Sequence, residues 1–516
     1  MDERKDALPT EGSTKCTQKW KLSGESMSRY RLFLVLTVGF CILLVDGFLW
    51  HGPSAGLTAT VFAWYALFLA WMGPGIFEKR SSRVLLAANL LLAASMALGS
   101  NWYFRIWNLL ALVVLLPVHV TAGLGSRPWW DPWMLGERFQ LLFQGLFGNL
   151  WACFAAAVPD KQSEGRPRRT MAVVLGLCGA VALVSFLLPV LISADALFAA
   201  STKQLQRFIS MIHFSDGVQR LFWALVFTPF VFSLLYALSH PKRLCPPEEK
   251  KVLQVDALGF VLALAAVDGL YLAFLAVQSA GLFGGPEYVE SLGISYADWA
   301  RSGFFQMVGV TALNLSLTLA SLCLSRREGR AWRALRWLCA ALAGESLVLL
   351  ASAAWKMTLY VSAYGLSFKR CMTYWGMMMM ALFLLAGLWK ALRPEFRFCK
   401  WVFPAALAGW LVINCVPVDY LVAKNQVDRY LSGESPTVSV NYLARLSFDT
   451  LSQLERLDGS RPVSDYDGNW DYHKTALSEE LDSRRVSARA QCSDWRTWSL
   501  SACLAAGDIS HDGGPV

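Results

Sequence analysis

The chain has 516 residues, of which 55% are hydrophobic and only 16% charged, and its mean hydropathy is +0.39. Soluble domains carry about 25% charged residues, so this composition argues against a soluble protein and predicts an integral membrane protein. The net charge of +9 comes from basic residues scattered at the ends of apolar runs. That distribution fits membrane topology, with the lipid bilayer as the main partner, and argues against a nucleic-acid partner.

Taken in order, the chain predicts an all-α polytopic fold with about eleven membrane-spanning helices. The first apolar run, Leu32–Trp50, is too long for a signal peptide and lacks an A-x-A cleavage site, so we interpret it as an uncleaved span. The other spans are predicted at Gly56–Phe77, Val84–Gly99, Trp102–Gly123, Met171–Ser193, Leu221–Leu238, Val255–Leu282, Gly303–Leu324, Ala334–Ala354, Met372–Leu392 and Val402–Val422.

Charge in the loops predicts the orientation. With a cytoplasmic N-terminus, the inner loops hold most of the Lys and Arg, as the positive-inside rule requires, and an odd number of spans leaves the C-terminal tail outside. The Ala-rich third span is needed to keep this pattern. The predicted division is a cytoplasmic tail at 1–30, spans one to four at 31–124, a cytoplasmic amphipathic segment and basic loop at 125–170, spans five to eleven at 171–424, and an extracytoplasmic soluble tail at 425–516.

Two apolar segments are not clean spans. Trp129–Val158 contains Asp131, Glu137 and Arg138, which predicts an amphipathic helix lying flat on the inner face. Ala196–Gly217 carries several polar residues and is predicted to lie on the outer face or to re-enter partway.

The tail from residue 425 is water-soluble by composition. Ser447 and Asp449 predict a capped short helix with Leu451, Leu454 and Leu457 on one face, and a charged helix is predicted at Ala476–Gln491. The tail has too few apolar residues to form a domain alone, so we expect it to pack on the outer rim of the bundle. Its two cysteines, Cys492 and Cys503, could form a disulfide.

Several chemistries find no support in the sequence. The twelve cysteines include no C-x-x-C pair, and the six histidines show no metal-ligand spacing, so neither a metal site nor a cofactor is predicted. A phosphate-binding loop and a Ser or Cys nucleophile motif are also missing. This pattern leans against an enzyme without deciding the question.

Polar residues recur at helical spacing inside three of the predicted spans. The span Gly303–Leu324 carries one stripe that should face protein rather than lipid, and we place it at the centre of the bundle. Its stripe consists of Thr311, Asn314, Thr318 and Ser321. Two more stripes lie on the neighbouring spans, one formed by Asp268, Tyr271 and Gln278, the other by Glu345, Ser352 and Lys356.

These stripes allow two interpretations. In the functional one, Asp268 and Glu345 supply negative charge to a polar vestibule that opens outward, Lys356 and Arg301 supply positive charge at its mouth, and tyrosines add stacking or hydrogen bonds. In the structural one, the carboxylates hold helices together and Lys356 extends to the membrane interface. The complete set of ligand-binding candidates is Asp268, Tyr271, Arg301, Asn314, Glu345, Ser352, Lys356, Tyr360, Tyr364 and Arg370.

Motifs in the second half of the chain resemble a known family. YADWARSGFFQ at 296–306 with Asn314, KMTLY at 356–360 with YGLS at 364–367 and Arg370, VNYLARLS at 440–447, and DWR at 494–496 carry the likeness. They resemble the bacterial family of polytopic membrane proteins catalogued as domain of unknown function 4173. The resemblance implies a cell-membrane protein of the bacterial envelope and no defined activity. Where the family pattern has Arg, this chain has Lys356, which keeps the charge but loses the bidentate geometry.

Three functions therefore stay open at this point. The favoured one is binding of a small molecule in the outer half of the bundle, for sensing or transport. The second is a membrane enzyme acting on a lipid-linked or headgroup substrate, and the third is a non-catalytic envelope scaffold.

Overall fold

Long apolar runs become helices because a backbone in lipid must satisfy its hydrogen bonds internally. The computed structural model describes residues 24–73, 80–122, 127–131, 133–157, 216–240, 254–283, 304–457, 463–464, 471–472 and 474–507, with isolated positions elsewhere. Its first helices are α1 Gly24–Leu44, α2 Ala55–Met72, α3 Arg80–Leu98, α4 Trp102–Val120, α5 Met134–Gly148, α6 Trp151–Ala157 and α7 Asp216–Ser239.

The second half continues in the same way. Its membrane helices are α8 Ala257–Phe283, α9 Phe304–Leu324, α10 Gly329–Tyr364, α11 Phe368–Leu392 and α12 Phe398–Cys415. The remaining elements are α13 Val418–Leu431, α14 Val440–Ala444, α15 Leu451–Leu454, an antiparallel strand pair of β1 Val463–Ser464 and β2 Asp471–Tyr472, α16 Lys474–Ser493 and α17 Leu500–Gly507. The chain is an all-α polytopic membrane protein.

Ten helices in the described part of the chain are long and apolar enough to cross a membrane, and α9 adds a shorter apolar helix. The Ala-rich third span is confirmed as α3. The predicted span Met171–Ser193 and most of the segment Ala196–Gly217 lie outside the described residues. The predicted eleventh span is divided at Pro417, which separates α12 from α13 and so places Asp419 beyond the spanning helix.

The segment Trp129–Val158 differs from its prediction. Instead of lying flat, α5 and α6 pack lengthwise against α7, and together they are long enough to cross a membrane. The charges that suggested a surface helix are confined to the start of α5, where Nη1 of Arg138 donates to the carbonyl of Thr121 at 2.6 Å. The break after Gly148 has a local cause. The hydroxyl of Ser233 donates to the Gly145 carbonyl at 2.6 Å and accepts from the Asn149 amide at 3.0 Å, which interrupts the helical hydrogen bonds.

The helices form two groups with separate cores. In the first group, α1 to α7 surround Phe68, Leu92 and Phe232. In the second, α8 to α11 surround Leu335, Leu342 and other apolar side chains. Helix α12 joins the groups, because it packs against α11 on one side and α3 on the other.

Helix α10 is the longest element described, and its exposed tryptophans indicate where the two membrane boundaries lie. It has 36 residues, whereas the sequence predicted a span of ordinary length over Ala334–Ala354. Trp337 and Trp355 are 70% and 59% exposed and lie about five turns, or about 27 Å, apart, close to the thickness of a bilayer's hydrocarbon core. Glu345 lies between them and is therefore near the middle of the membrane.

The C-terminal tail packs on one end of the bundle, which we call the tail end; the opposite end, where α9 finishes and α10 begins, is the basic end. Asp419 at the start of α13 is 3% exposed, and its Oδ2 accepts from Nδ2 of Asn101 at 2.6 Å and from the amide of Ser447 at 3.1 Å. Burial raises the pKa of Asp419, and the hydrogen bonds from Ser447 and Asn101 oppose this change. The predicted cysteine pair is bonded, since Cys492 and Cys503 form a disulfide.

Candidate functional site

The polar stripe of α9 faces protein, as predicted. Thr311, Asn314, Thr318 and Ser321 are all at most 2% exposed. Helix α10 packs against α8, α9 and α11, so its own stripe is enclosed as well. The three stripes therefore meet in the second helix group, and their residues lie at three levels along α10.

The first level is a hydrogen-bonded chain near the middle of the membrane that joins three helices. The hydroxyl of Tyr271 on α8 donates to Oδ1 of Asn314 on α9 at 2.9 Å. Nδ2 of the same amide donates to the hydroxyl of Ser346 on α10 at 2.9 Å, and Ser346 donates to the carbonyl of Leu342 at 2.7 Å. Asn314 thus links α8 to α10, which accounts for an amide at the centre of the bundle.

Two carboxyl groups lie beside this chain. Asp268 is one turn from Tyr271 on α8 and is 5% exposed, while Glu345 precedes Ser346 on α10 and is 8% exposed. The structure gives neither oxygen of Asp268 a hydrogen-bond partner, and Oε2 of Glu345 also has none. The two groups are close enough to interact electrostatically. A buried acid without a partner is costly in a membrane, which makes this pair the most unusual feature of the site.

The second level lies nearer the tail end. Ser352 and Lys356 are one turn apart on α10 and are 7% and 3% exposed. The structural interpretation of Lys356 was extension to the membrane interface, but the structure buries this side chain against other helices. Its ammonium group instead supplies a positive charge within the protein, about five turns from Trp337 and next to the exposed Trp355.

The third level closes the end of α10. The guanidinium of Arg370 lies 4.2 Å from the ring centre of Tyr360, whose ring is 4.9 Å from that of Tyr364. Nη1 of Arg370 donates to the carbonyl of Tyr364 at 3.1 Å and also to that of Gly365. Cationic donors at a helix C-terminus satisfy its free carbonyls and its dipole. The structure therefore uses Arg370 to cap α10.

Residues of α13 complete this cap. Arg429 donates to the carbonyls of Ser362 at 2.9 Å and Ala363 at 3.0 Å, and Nε2 of Gln426 donates to the carbonyl of Leu366 at 2.6 Å. Gly365 has a φ of +71°, and a β-carbon there would lie 2.9 Å from Nε2 of Gln426. The motif around YGLS is thus explained by the turn between α10 and α11.

Some of the predicted site residues lie outside the described part of the chain, and some buried polar residues of the structure were not predicted. Arg301 and the loop around it lie outside the described residues, as does the side chain of Gln278. Ser346 was missed, although its place next to Glu345 in an apolar run is a signal that a sequence search could use. Also missed was a buried chain in the first group, where His119 contacts the hydroxyls of Tyr65 and Ser82, each at 2.8 Å.

Within the described residues, no three His, Cys, Asp or Glu side chains lie close enough together to hold a metal ion. The arrangement at the first level can instead bind or release protons. Each of its two acids can hold a proton in its neutral form.

Comparison with known proteins gives a family but no activity. Neither the curated proteins nor the solved structures contain a match to the chain. The family model that matches is that of a domain of unknown function, DUF4153, over residues 86–457. It is a domain of the same uncharacterised kind as the predicted family 4173, and the match includes α8 to α11 and every described candidate residue. Because the match covers most of the chain, this integral membrane protein belongs to the DUF4153 family.

Proposed function

We propose that this protein binds a proton at Asp268 and Glu345 and a small ligand in the tail-end half of the same helices, for sensing or transport. One observation carries the proposal: Asp268 is 5% exposed, and both its oxygens lack a hydrogen-bond partner. A charged side chain at mid-membrane costs about 2.5–3.5 kcal/mol even on insertion scales, so such a residue is retained where it takes up an ion.

The proton is the ion that fits this site best. Two negative charges within electrostatic range repel each other, and one shared positive charge removes the repulsion. Two carboxyl groups without a third ligand make a poor metal site, because oxygen-binding cations prefer at least six ligands. A proton needs only one oxygen as its acceptor, and Asp268 offers two.

The ligand would bind on the tail-end side of this pair. Ser352 and Lys356 provide a hydroxyl and a buried ammonium group there, which suits an anionic or strongly polar molecule. The disulfide between Cys492 and Cys503 supports an extracytoplasmic tail, since such bonds persist in oxidising compartments. On this basis we propose a cytoplasmic N-terminus, a site open to the outside, and the closer relationship to family 4173 that the motifs indicate.

The enzyme alternative rests on Arg301, Lys369 and Arg370 facing the outer leaflet. Arg370 is engaged with the end of α10, which weakens this alternative at one of its three residues.

Proton titration of the purified protein in detergent tests the proposal. Between acid and neutral pH, the wild type should bind about one proton more than the Asp268→Asn variant. Asp482→Asn is the matched control, because Asp482 is an exposed carboxylate on α16, away from the proposed site. A curve for Asp268→Asn that is identical to that of the wild type or of Asp482→Asn would refute proton binding at this site.

A further inference from the structure

The basic end of the second helix group has a large excess of positive charge. Two connections meet there, 325–336 between α9 and α10 and 390–400 between α11 and α12. Their acidic residues are only Glu328 and Glu395. Their basic residues are Arg326, Arg327, Arg330, Arg333, Arg336, Lys390, Arg393, Arg397 and Lys400. Within the described part of the chain, none of these nine cations forms an ion pair with a carboxylate.

Some of these cations have a structural task. Nε of Arg336 donates to the carbonyl of Ala391 at 2.8 Å, which fixes the end of α11 against α10. Arg397 and Lys400 lie over the ring of Trp130, at 5.1 and 5.6 Å from its centre. These contacts hold the two connections together, but they add no negative charge.

The charge is most concentrated in one crevice between the connections. Arg327 and Lys390 line it together with Leu322, Trp332 and Pro394, and the two cations are close enough to repel each other. Nζ of Lys390 donates to the carbonyl of Phe396 at 2.7 Å, which anchors the amine beside the crevice. Leu322 and Trp332 are only 3% and 8% exposed, so a ligand can reach the two cations but not the apolar residues beneath them. A pair of like charges at the mouth of the crevice favours an anion.

The depth of the crevice identifies the class of anion. Trp337, Trp389 and Trp401, on the three helices around it, are 70%, 48% and 63% exposed. Exposed tryptophans of this kind mark the headgroup region of a bilayer. The anion available at that depth is a lipid phosphate, and basic pockets between helices are known binding sites for anionic headgroups.

We propose that Arg327 and Lys390, at the mouth of the crevice between them, bind the headgroup phosphate of an anionic phospholipid. The rest of the basic collar then contacts further anionic lipids of the same leaflet. This lipid site is independent of the proposed proton site, since it lies at the basic end rather than near the middle of the membrane and uses none of the same residues.

Native mass spectrometry of the protein incubated with equal amounts of phosphatidylglycerol and phosphatidylcholine tests the proposal. Wild type should retain phosphatidylglycerol in preference to phosphatidylcholine. In the Arg327→Gln/Lys390→Gln variant, the ratio of bound phosphatidylglycerol to bound phosphatidylcholine should fall by roughly thirtyfold, as expected for the loss of two charges at a lipid surface. The control variant Lys369→Gln/Arg489→Gln removes two exposed charges at the tail end and should retain the preference. If the double variant does not fold, the single variant Arg327→Gln is measured in its place, because the side chain of Arg327 is exposed.

Two results would overturn the inference. One is equal retention of both lipids by the wild type, or a preference that the variants leave unchanged. The other is displacement of the lipid by millimolar inorganic phosphate or glycerol phosphate, which would show a site for a free anion rather than for a lipid.

Discussion

Nε of Arg496 donates to Oδ2 of Asp46 at 2.7 Å, although 450 residues separate the two in sequence. Arg220 at the start of α7 pairs with the other oxygen of Asp46. The carbonyl of Arg496 in turn accepts from the hydroxyl of Ser54 at 2.6 Å and the amide of Gly56 at 2.9 Å. The tail is thereby joined to α1, α2 and α7 at a single point.

Replacing Arg496 with Ala should loosen this junction. The variant loses a hydrogen-bonded ion pair that is about a quarter exposed, and bonds to charged groups contribute about 1.5–3 kcal/mol. We expect a lower midpoint of thermal unfolding in detergent and faster proteolysis of the tail. Arg489→Ala is the control, because Arg489 is an exposed residue on α16, shortly before Arg496 in the chain. An unchanged midpoint for Arg496→Ala would mean that the pair adds no net stability.

Asp419 should make the docking of the tail depend on pH. Burial raises the pKa of this carboxyl, so the folded state binds the proton more tightly than the unfolded state, whose pKa is about 3.9. Its contribution to stability is therefore complete below the unfolded pKa and is lost as pH rises through the folded pKa. The midpoint of unfolding should fall as the pH is raised through that window.

The Asp419→Asn variant provides the control for this effect. Its amide oxygen can still accept from Asn101 and Ser447, but it cannot ionise, so the dependence on pH should flatten. The other charged or titratable groups around it are present in both proteins and cancel in the comparison; they are Asp449, Tyr442, Arg484 and Cys371. Equal slopes for wild type and variant would contradict the assignment to Asp419.

The turn after α10 should not tolerate a side chain at Gly365. Its φ of +71° is unfavourable for alanine, and the added β-carbon would meet Gln426 at 2.9 Å. We expect Gly365→Ala to lower the free energy of unfolding by about 1–3 kcal/mol. Gly376→Ala within α11 is the control, since its β-carbon has no neighbour within 4 Å and should leave stability unchanged or raise it. Equal changes in the free energy of unfolding for the two variants would contradict the role assigned to Gly365 in the turn after α10.

Labelling of the tail thiols tests the proposed orientation. In intact cells, Cys492→Ser should free Cys503 and add one site for a membrane-impermeant maleimide, because the partner of Cys503 is gone. Cys399 near the basic end should react only after permeabilisation. Labelling of Cys399 in intact cells, with Cys503 protected, would contradict the proposed orientation and indicate the opposite one.

Spacing along the chain predicted which helix faces are buried, because steps of three and four place residues on one side whatever the helix contacts. It therefore identified the stripe of α9 and the burial of Asp268, Glu345 and Ser352. It could not supply partners distant in sequence. The contact of Arg496 with Asp46, and of Arg429 with the end of α10, depend on how the tail folds back.

Two other differences have local causes. The charges at the start of α5 suggested a surface helix, but Glu137 and Arg138 both lie in its first turns and most of the helix after them is apolar. Spacing could not show that Arg370 satisfies the free carbonyls at the end of a long helix, and its role in ligand binding stays a prediction.

Infrared difference spectroscopy of the reconstituted protein between acid and alkaline pH measures whether Asp268 and Glu345 bind a proton in the membrane, through the C=O stretching band of a protonated carboxylic acid. We expect a band in the wild type that persists at a pH where surface carboxylates are ionised. Asp268→Asn and Glu345→Gln should each remove or shift the band, and Asp482→Asn should leave it unchanged. Absence of such a band in the wild type, or its survival in both site variants, would contradict the proposed proton site.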